Sequence, residues 1–247
     1  MIAGWDGVPL AAYLREVTDA PLFVGNDADV LARAERAARL LDDGGAGDPG
    51  AGDLLVVKAS TGLGLGIVTG GRVVRGHLGG AGEIGHTRVA AADGLRCRCG
   101  DTGCLEAVAG GWALVQRLAQ GRGGQAGRDV GHVRELVALA RGGDAEARGL
   151  LRDSGRHLGE VLAVAVNLLN PAVVVVGGDM GAAFDLYAAG LRESVYARAT
   201  ALATRDLRIE PARHGDRSGL VGCAALALDH VLAPAAVDAA LAARRSA

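Results

Sequence analysis

The chain is 247 residues long and half apolar, which is enough to bury a sizeable core as one large domain or two small ones. Its formal net charge is −2 and it has no long basic run beyond the Arg244-Arg245 tail, so the chain itself lacks the footprint of a nucleic-acid binder. Its longest apolar runs, such as 161–166, are far too short to span a bilayer, and no export signal is legible, which predicts a cytoplasmic protein with reduced thiols and no membrane partner.

Aromatics make up only 3%, so the core is expected to be Ala, Val and Leu, and forty glycines predict many tight turns and close backbone approaches. In chain order, a Gly4-Trp5-Asp6-Gly7 opening leads to a short helix near 11–17 and a strand at 21–24. Asn26-Asp27 opens a helix to about Leu41, with Val30, Leu31, Ala34, Ala37 and Leu41 on one face. Residues 42–53 read as a loop, and 54–58 and 66–69 as strands flanking a glycine-rich turn, with Gly70-Gly71 turning into 72–75. Helices are predicted at 105–119, 132–140 and 145–169, the last stopped by Asn170-Pro171. The β-branched run 172–176 suits a strand buried on both faces, and Gly177-Gly178 follows it. A helix at 184–199, a strand at 207–210 and a helix from Ser218 to about Leu232 complete an alternating α/β pattern without internal repeats.

The sharpest chemistry lies between residues 82 and 106. Gly82-Glu83-Ile84-Gly85-His86 is followed, after ten intervening residues, by Cys97-Arg98-Cys99-Gly100-Asp101-Thr102-Gly103-Cys104-Leu105-Glu106. One imidazole and three thiolates match a closed tetrahedral Cys₃His site, so His86, Cys97, Cys99 and Cys104 are expected to hold a structural Zn²⁺. The rival reading, a disulfide beside a bystander His, is disfavoured because Cys-X-Cys resists direct pairing. Cys223, in an apolar stretch, reads as a small buried hydrophobe. His77, His132, His157, His214 and His230 have no partner at ligand spacing.

Asp27 is the candidate general base for chemistry on a hydroxyl, against the plainer reading that Asn26 or Asp27 caps the following helix; spacing alone leaves these even. Glu83 as a solvated loop carboxylate and Glu106 as a helix N-terminal acid are the plain readings at those positions. The alternation Thr61-Gly62-Leu63-Gly64-Leu65-Gly66 could cradle a phosphate, a weak signal in so glycine-rich a chain.

Gly-Glu-Ile-Gly-His followed by Cys-X-Cys-Gly-X-X-Gly-Cys-Leu-Glu resembles the signature of the ROK family, which groups bacterial sugar kinases with sugar-responsive transcriptional repressors. The resemblance runs from about Trp5 to about Leu241. It implies an actin-like (ribonuclease H-like) α/β fold of two lobes with the first lobe truncated: 1–53 as its remnant, 54–216 as the second lobe carrying the zinc segment 82–106, and 217–247 as helices returning to the first. It implies a homodimer or homotetramer, and a small-molecule sugar held by Asn26, Asp27, Glu83, His86 and Glu106, with His86 serving metal and sugar through its two nitrogens. It places nucleotide contacts at Thr61, Gly62 and Gly64, in a loop that begins at Ala59-Ser60, and at Gly177 and Gly178. ATP and Mg²⁺ are implied only if the chain is a kinase, in which case Asp27 is the catalytic base.

Two functions follow from the resemblance, a sugar kinase and the effector-sensing domain of a regulator that touches DNA only through an N-terminal domain not present here. Residues 56–62 lack the Gly-Thr-Gly usual in the kinases. The run 196–241 is similar to regulators of high-GC actinobacteria, so the regulator leads. A decayed paralogue that folds through its zinc and binds nothing is the third reading.

Overall fold

The computed structural model describes residues 8–42, 48–123 and 130–245; the predicted opening at Gly4-Trp5-Asp6-Gly7 and positions 43–47 of the predicted 42–53 loop lie outside them. The elements are α1 (Leu10–Leu14), α2 (Asp27–Asp42), β1 (Leu54–Ala59), β2 (Leu63–Thr69), β3 (Arg72–Val73), α3 (Glu106–Ala109) and α4 (Gly111–Arg122). There follow α5 (Val133–Arg141), α6 (Ala145–Leu169), β4 (Val173–Gly177), α7 (Phe184–Arg198), α8 (Ala201–Thr204), β5 (Arg208–Pro211), α9 (Ser218–Val231) and α10 (Pro234–Arg245).

One five-stranded sheet, in the order β3-β2-β1-β4-β5, organises them. The β1–β2 and β2–β3 pairs are antiparallel, whereas β1–β4 and β4–β5 are parallel. Four consecutive valines make β4 suitable for this place, since a strand between two parallel neighbours is covered on both faces and every residue of β4 is buried. On one face, Leu54, Val56, Val173 and Val175 meet Ala32 of α2, with α9 packed against α2 in turn. The other face carries Leu55, Val57, Val174 and Val176 and is buried under the helical layer that includes α6 and α7. These two helices touch backbone to backbone: a Cβ on Gly155 would lie 2.1 Å from the Tyr187 carbonyl, and one on Gly190 1.9 Å from that of Arg152. Asn170, left-handed at φ 44°, ends α6 at the predicted stop.

Four sequence expectations fail here, each for a physical reason. The strand at 21–24 is irregular chain: it finds no neighbour to complete its hydrogen bonds among the described residues, and Leu22 and Val24 stay exposed. The helix expected over 105–119 is two helices, because Gly110 is extended (φ −70°, ψ 147°) and lets the Gly111 and Trp112 amides donate to the carbonyls of Ser60 and Thr61. The glycine-rich turn is shorter than its sequence suggests, since β2 begins at Leu63 and takes in Gly64, paired with Lys58, ahead of the expected Gly66, which pairs with Val56. Gly66 is there for α2, whose Ala28 carbonyl would sit 2.4 Å from any added Cβ. Finally, Cys223 is exposed: α9 buries Ser218, Gly222 and Leu226, and the next position after Gly222 turns about 100° away from that face.

No single described helix is long and apolar enough to cross a membrane; only the bent pair 215–231 and 234–243 passes, by length and composition alone.

An ion network that the sequence does not advertise ties α2 to β5. Arg39 is fully buried and donates to Asp48 at 2.8 Å and Glu210 at 2.7 Å, and Arg208 reaches Asp48 at 2.7 Å. Burial works against ionised Asp48, yet the Gly50 amide, Arg208 and Arg39 outweigh it and hold the carboxyl down to about 2 from an ordinary 3.8. A depressed carboxyl stabilises the fold above its unfolded value and loses that contribution as pH falls through the folded value. Asp48→Asn is therefore expected to destabilise the protein by about 2 kcal/mol at neutral pH, the gap closing between about pH 4 and pH 2. Denaturant titrations of both proteins across that window are the check, and a gap independent of pH would refute the assignment.

Candidate functional site

The N-terminus of α2, the end of β1, the start of β2 and the segment 82–112 enclose a cleft of ≈ 690 Å³. Asn26, Asp27, Glu83, His86 and Glu106, the five positions expected to hold a sugar, all line it, and so do Thr61, Gly62 and Gly64. Gly177 and Gly178 do not.

The helix-cap question at α2 resolves between the two candidates. The Asn26 side-chain oxygen accepts the Ala28 amide at 2.8 Å and so caps the helix, while its NH₂ group remains for the cleft. Asp27 is left to face Lys58, whose Nζ stands 2.7 Å from Asp27 Oδ2. The register explains how this lysine fits. Lys58 is paired with Gly64 on β2 and Gly177 on β4, so on its face of the sheet neither neighbour has a side chain to obstruct it. Lys58 was not anticipated from the sequence, although one cation ending an otherwise apolar strand was the available signal.

Glu106 is 9% exposed and held at both oxygens: Oε2 accepts the Leu63 amide at 2.9 Å and Oε1 the Trp112 indole at 3.1 Å. Gly62 makes this approach possible, since a Cβ there would stand 2.6 Å from the carboxylate. Arg98, the residue between Cys97 and Cys99, stacks over Trp112 at 5.0 Å from the ring centre. Trp112 is therefore a wall of the cleft, and its signal was rarity: it is one of two tryptophans.

Behind this wall the four expected metal ligands converge, all donor atoms lying within 4.8 Å of one another. The turn at 97–104 closes because Gly100 and Gly103 adopt positive φ (101° and 84°), and the Cys97 amide reaches the Asp101 carbonyl at 2.8 Å. Thr87 and Val89 pair with Leu105 and Gly103, which brings His86 beside Cys104. Cys99 Sγ lies 3.7 Å from Cys104 Sγ, and Cys97 Sγ lies 3.8 Å from His86 Nδ1. A regular tetrahedron with metal–sulfur bonds of about 2.3 Å has edges of roughly 3.8 Å, so the donor set fits one tetrahedral ion. All four cysteines are free thiols, against the disulfide reading. Burial pushes Cys104 up to about 12 and raises Cys97, whereas the Asp101 backbone amide heads the causes that lower Cys99. Ionising all three in so small a space calls for a compensating dication.

His86 links the two sites. Its Nδ1 faces the cysteines, and its Nε2 faces Glu83 at 3.8 Å on the cleft side. With three carboxylates, two cations and an indole, the cleft can hold several hydroxyl groups of one small polar ring.

Gly177 and Gly178 lie at the end of β4, behind Ser60, in a separate arrangement. The adjacent Asp179 accepts the Ser60 hydroxyl and, at 2.6 Å, Arg134 Nε. Burial opposes the Asp179 charge, but the Ser60 and Arg134 hydrogen bonds and the Arg134 charge keep its carboxyl below the usual range.

Comparison with known proteins gives the site a context. The model of the ROK family matches residues 2–230. The chain is 32% identical to the glucokinase of Halalkalibacterium halodurans, over 89% of this chain and 67% of that protein. It is 35% identical to the DNA-binding transcriptional dual regulator NagC of Escherichia coli K12, over 69% of this chain and 41% of NagC. The crystal structure of a ROK family transcriptional regulator, a homologue of the E. coli MLC protein, superposes with a TM-score of 0.71 at 28% identity, over 88% of this chain and 54% of that one. The chain thus spans about half the length of the regulators it matches. Sugar-kinase structures of the same actin-like fold match it as well.

Proposed function

The chain belongs to the ROK family, and from that premise we propose that it is a sugar-binding effector domain of the regulator type, folded around a structural Zn²⁺, and not a working sugar kinase. The observation that carries the reading is the Lys58–Asp27 pair at 2.7 Å. A base for phosphoryl transfer must offer an oxygen to the attacking hydroxyl, and here the Lys58 ammonium engages Asp27 Oδ2 and leaves that role to Oδ1 alone. Binding does not need that oxygen free. Asn26, Asp27, Glu83, His86 and Glu106 supply enough donors and acceptors to hold a hexose-like ligand, with Trp112 as its apolar wall. The nucleotide role of Thr61, Gly62, Gly64, Gly177 and Gly178 belongs to the kinase alternative, with ATP and Mg²⁺ as donor.

In this reading Zn²⁺ sits on His86, Cys97, Cys99 and Cys104 with no open position, and it fixes the ring of His86 for the cleft. The division into 1–53, 54–216 and 217–247 belongs to the same reading, and the packing of α9 on α2 supports a C-terminal part that returns to the N-terminal segment. So do a cytoplasmic location, a homodimer or homotetramer, and DNA contact through a part of the whole protein outside these residues.

The test is an ADP-release assay with glucose, N-acetylglucosamine, N-acetylmannosamine, fructose and xylose, beside calorimetric titration of the same sugars. Heat with at least one sugar and no turnover is the expected result. Turnover on the order of 1 s⁻¹ or more, the low end for kinases, that disappears in Asp27→Ala would make the kinase reading correct.

A further inference from the structure

The carboxyl ends of parallel strands are where an α/β sheet ordinarily receives an anionic ligand, because the loops there open a crevice lined with polar backbone. In this chain β1 runs out of Ala59 into Ser60, and its parallel neighbour β4 runs out of Gly177 into Gly178 and Asp179. Their junction already holds a negative charge. The Asp179 side chain is only 12% exposed, one oxygen accepting the Ser60 hydroxyl and the other Arg134 Nε at 2.6 Å. Gly178, at φ 82°, fixes it there: a Cβ would stand 2.5 Å from the Ala59 carbonyl, so the chain passes directly against β1. A hydroxyl and a guanidinium converging on one point are also what binds a phosphate oxygen.

We infer that Ser60 and Arg134 form an oxyanion cradle which Asp179 fills from within, and that Asp179 is the residue excluding nucleotide polyphosphates from this chain. The inference rests on the sensor reading and deepens it. A phosphate entering the cradle would have to displace a carboxylate carrying the same sign of charge and take over both of its donors. The exclusion is therefore steric and electrostatic at once. It is also reversible by one substitution, because α5 holds the Arg134 backbone beside the cradle and removing Asp179 frees its guanidinium for a phosphate oxygen.

Calorimetric titration of ADP, and separately of inorganic pyrophosphate, against the unaltered protein, Asp179→Ala and Asp179→Asn tests it. The unaltered protein is expected to give no heat up to about 1 mM ligand, and Asp179→Ala to bind at least about tenfold more tightly. Asp179→Asn should gain less, since the amide is neutral but still fills the cradle, and Arg134→Ala added to Asp179→Ala should erase the gain. Pyrophosphate binding alongside ADP would assign the gain to the phosphates, as inferred; binding of ADP alone would overturn the cradle. Equal ADP affinity in the unaltered protein and the variants would also overturn it. If Asp179→Ala does not fold, Asp179→Asn carries the test, and a folded Asn variant without any gain refutes the inference. Sugar titrations on the same samples separate the two ideas. Sugar binding with no gain for nucleotide removes this inference alone, whereas ADP binding with sugar-dependent turnover in the unaltered protein removes the sensor reading too.

Discussion

Cys99→Ser is expected to strip the protein of its metal and lower its melting temperature by about 10 °C or more. Metal binding to such a cluster is part of the folding free energy, because the ligands converge only in the folded turn. Here the turn has little else to hold it: 97–104 is closed by a few backbone hydrogen bonds and two glycines, with no strand or helix of its own. Cys99 is the most informative ligand to change because it is less buried than Cys97 and Cys104, so serine leaves no cavity to confuse the result. Metal analysis of protein purified without added zinc should give one equivalent, and near zero for the variant. A strong chelator should reproduce the loss in the unaltered protein, and Cys223→Ser, on an exposed cysteine far from the cluster, should do nothing. Full stability without metal would sink the zinc assignment.

The parts of this protein that were legible in its sequence are those in which a single local rule decides the outcome. The α6 boundaries followed from a long helical stretch stopped by Asn170-Pro171, and the structure adds the Asp144 cap at its start. The valine run of β4 could only be a strand covered on both faces. The cysteine spacing pointed to the cluster of His86, Cys97, Cys99 and Cys104, since sulfurs so near in sequence have few ways to converge. What was not legible depended on partners distant in the chain. Segment 21–24 has a strand's composition and, among the described residues, no strand to pair with. The break at Gly110 exists because Ser60 and Thr61, some fifty residues earlier, accept the first amides of α4. Lys58 becomes a site residue only because Gly64 and Gly177 flank it in register, a fact about three strands together. Arg39 would have been placed on the solvent side of α2 by charge alone; only the fold supplies Asp48 and Glu210.

Glu83→Ala is expected to remove sugar binding while leaving the fold intact, and the contrast between the two effects is what makes it diagnostic. The Glu83 side chain is 44% exposed and stands 3.8 Å from His86 Nε2, beyond hydrogen-bond reach, so truncation leaves no buried group unpaired in the free protein. Glu106 is the opposite case. Removing its carboxylate strands the Leu63 amide and the Trp112 indole, so lost binding there would be confounded with lost stability. In the proposed sugar complex, by contrast, Glu83 would be the free acceptor on the His86 side of the cleft. A ring hydroxyl brought there without it is desolvated and unpaired. That loss, about 1.5–3 kcal/mol for a bond to a charged acceptor, amounts to roughly a tenfold to hundredfold drop in affinity, enough to push a weak sugar ligand out of calorimetric range. Glu83→Gln, which keeps an acceptor oxygen but not the charge, should fall between. Titrating the sugar that binds the unaltered protein most tightly, with melting temperatures measured on the same samples, decides the matter. Unchanged affinity in a folded Glu83→Ala variant would mean that this side of the cleft is not where the sugar lies.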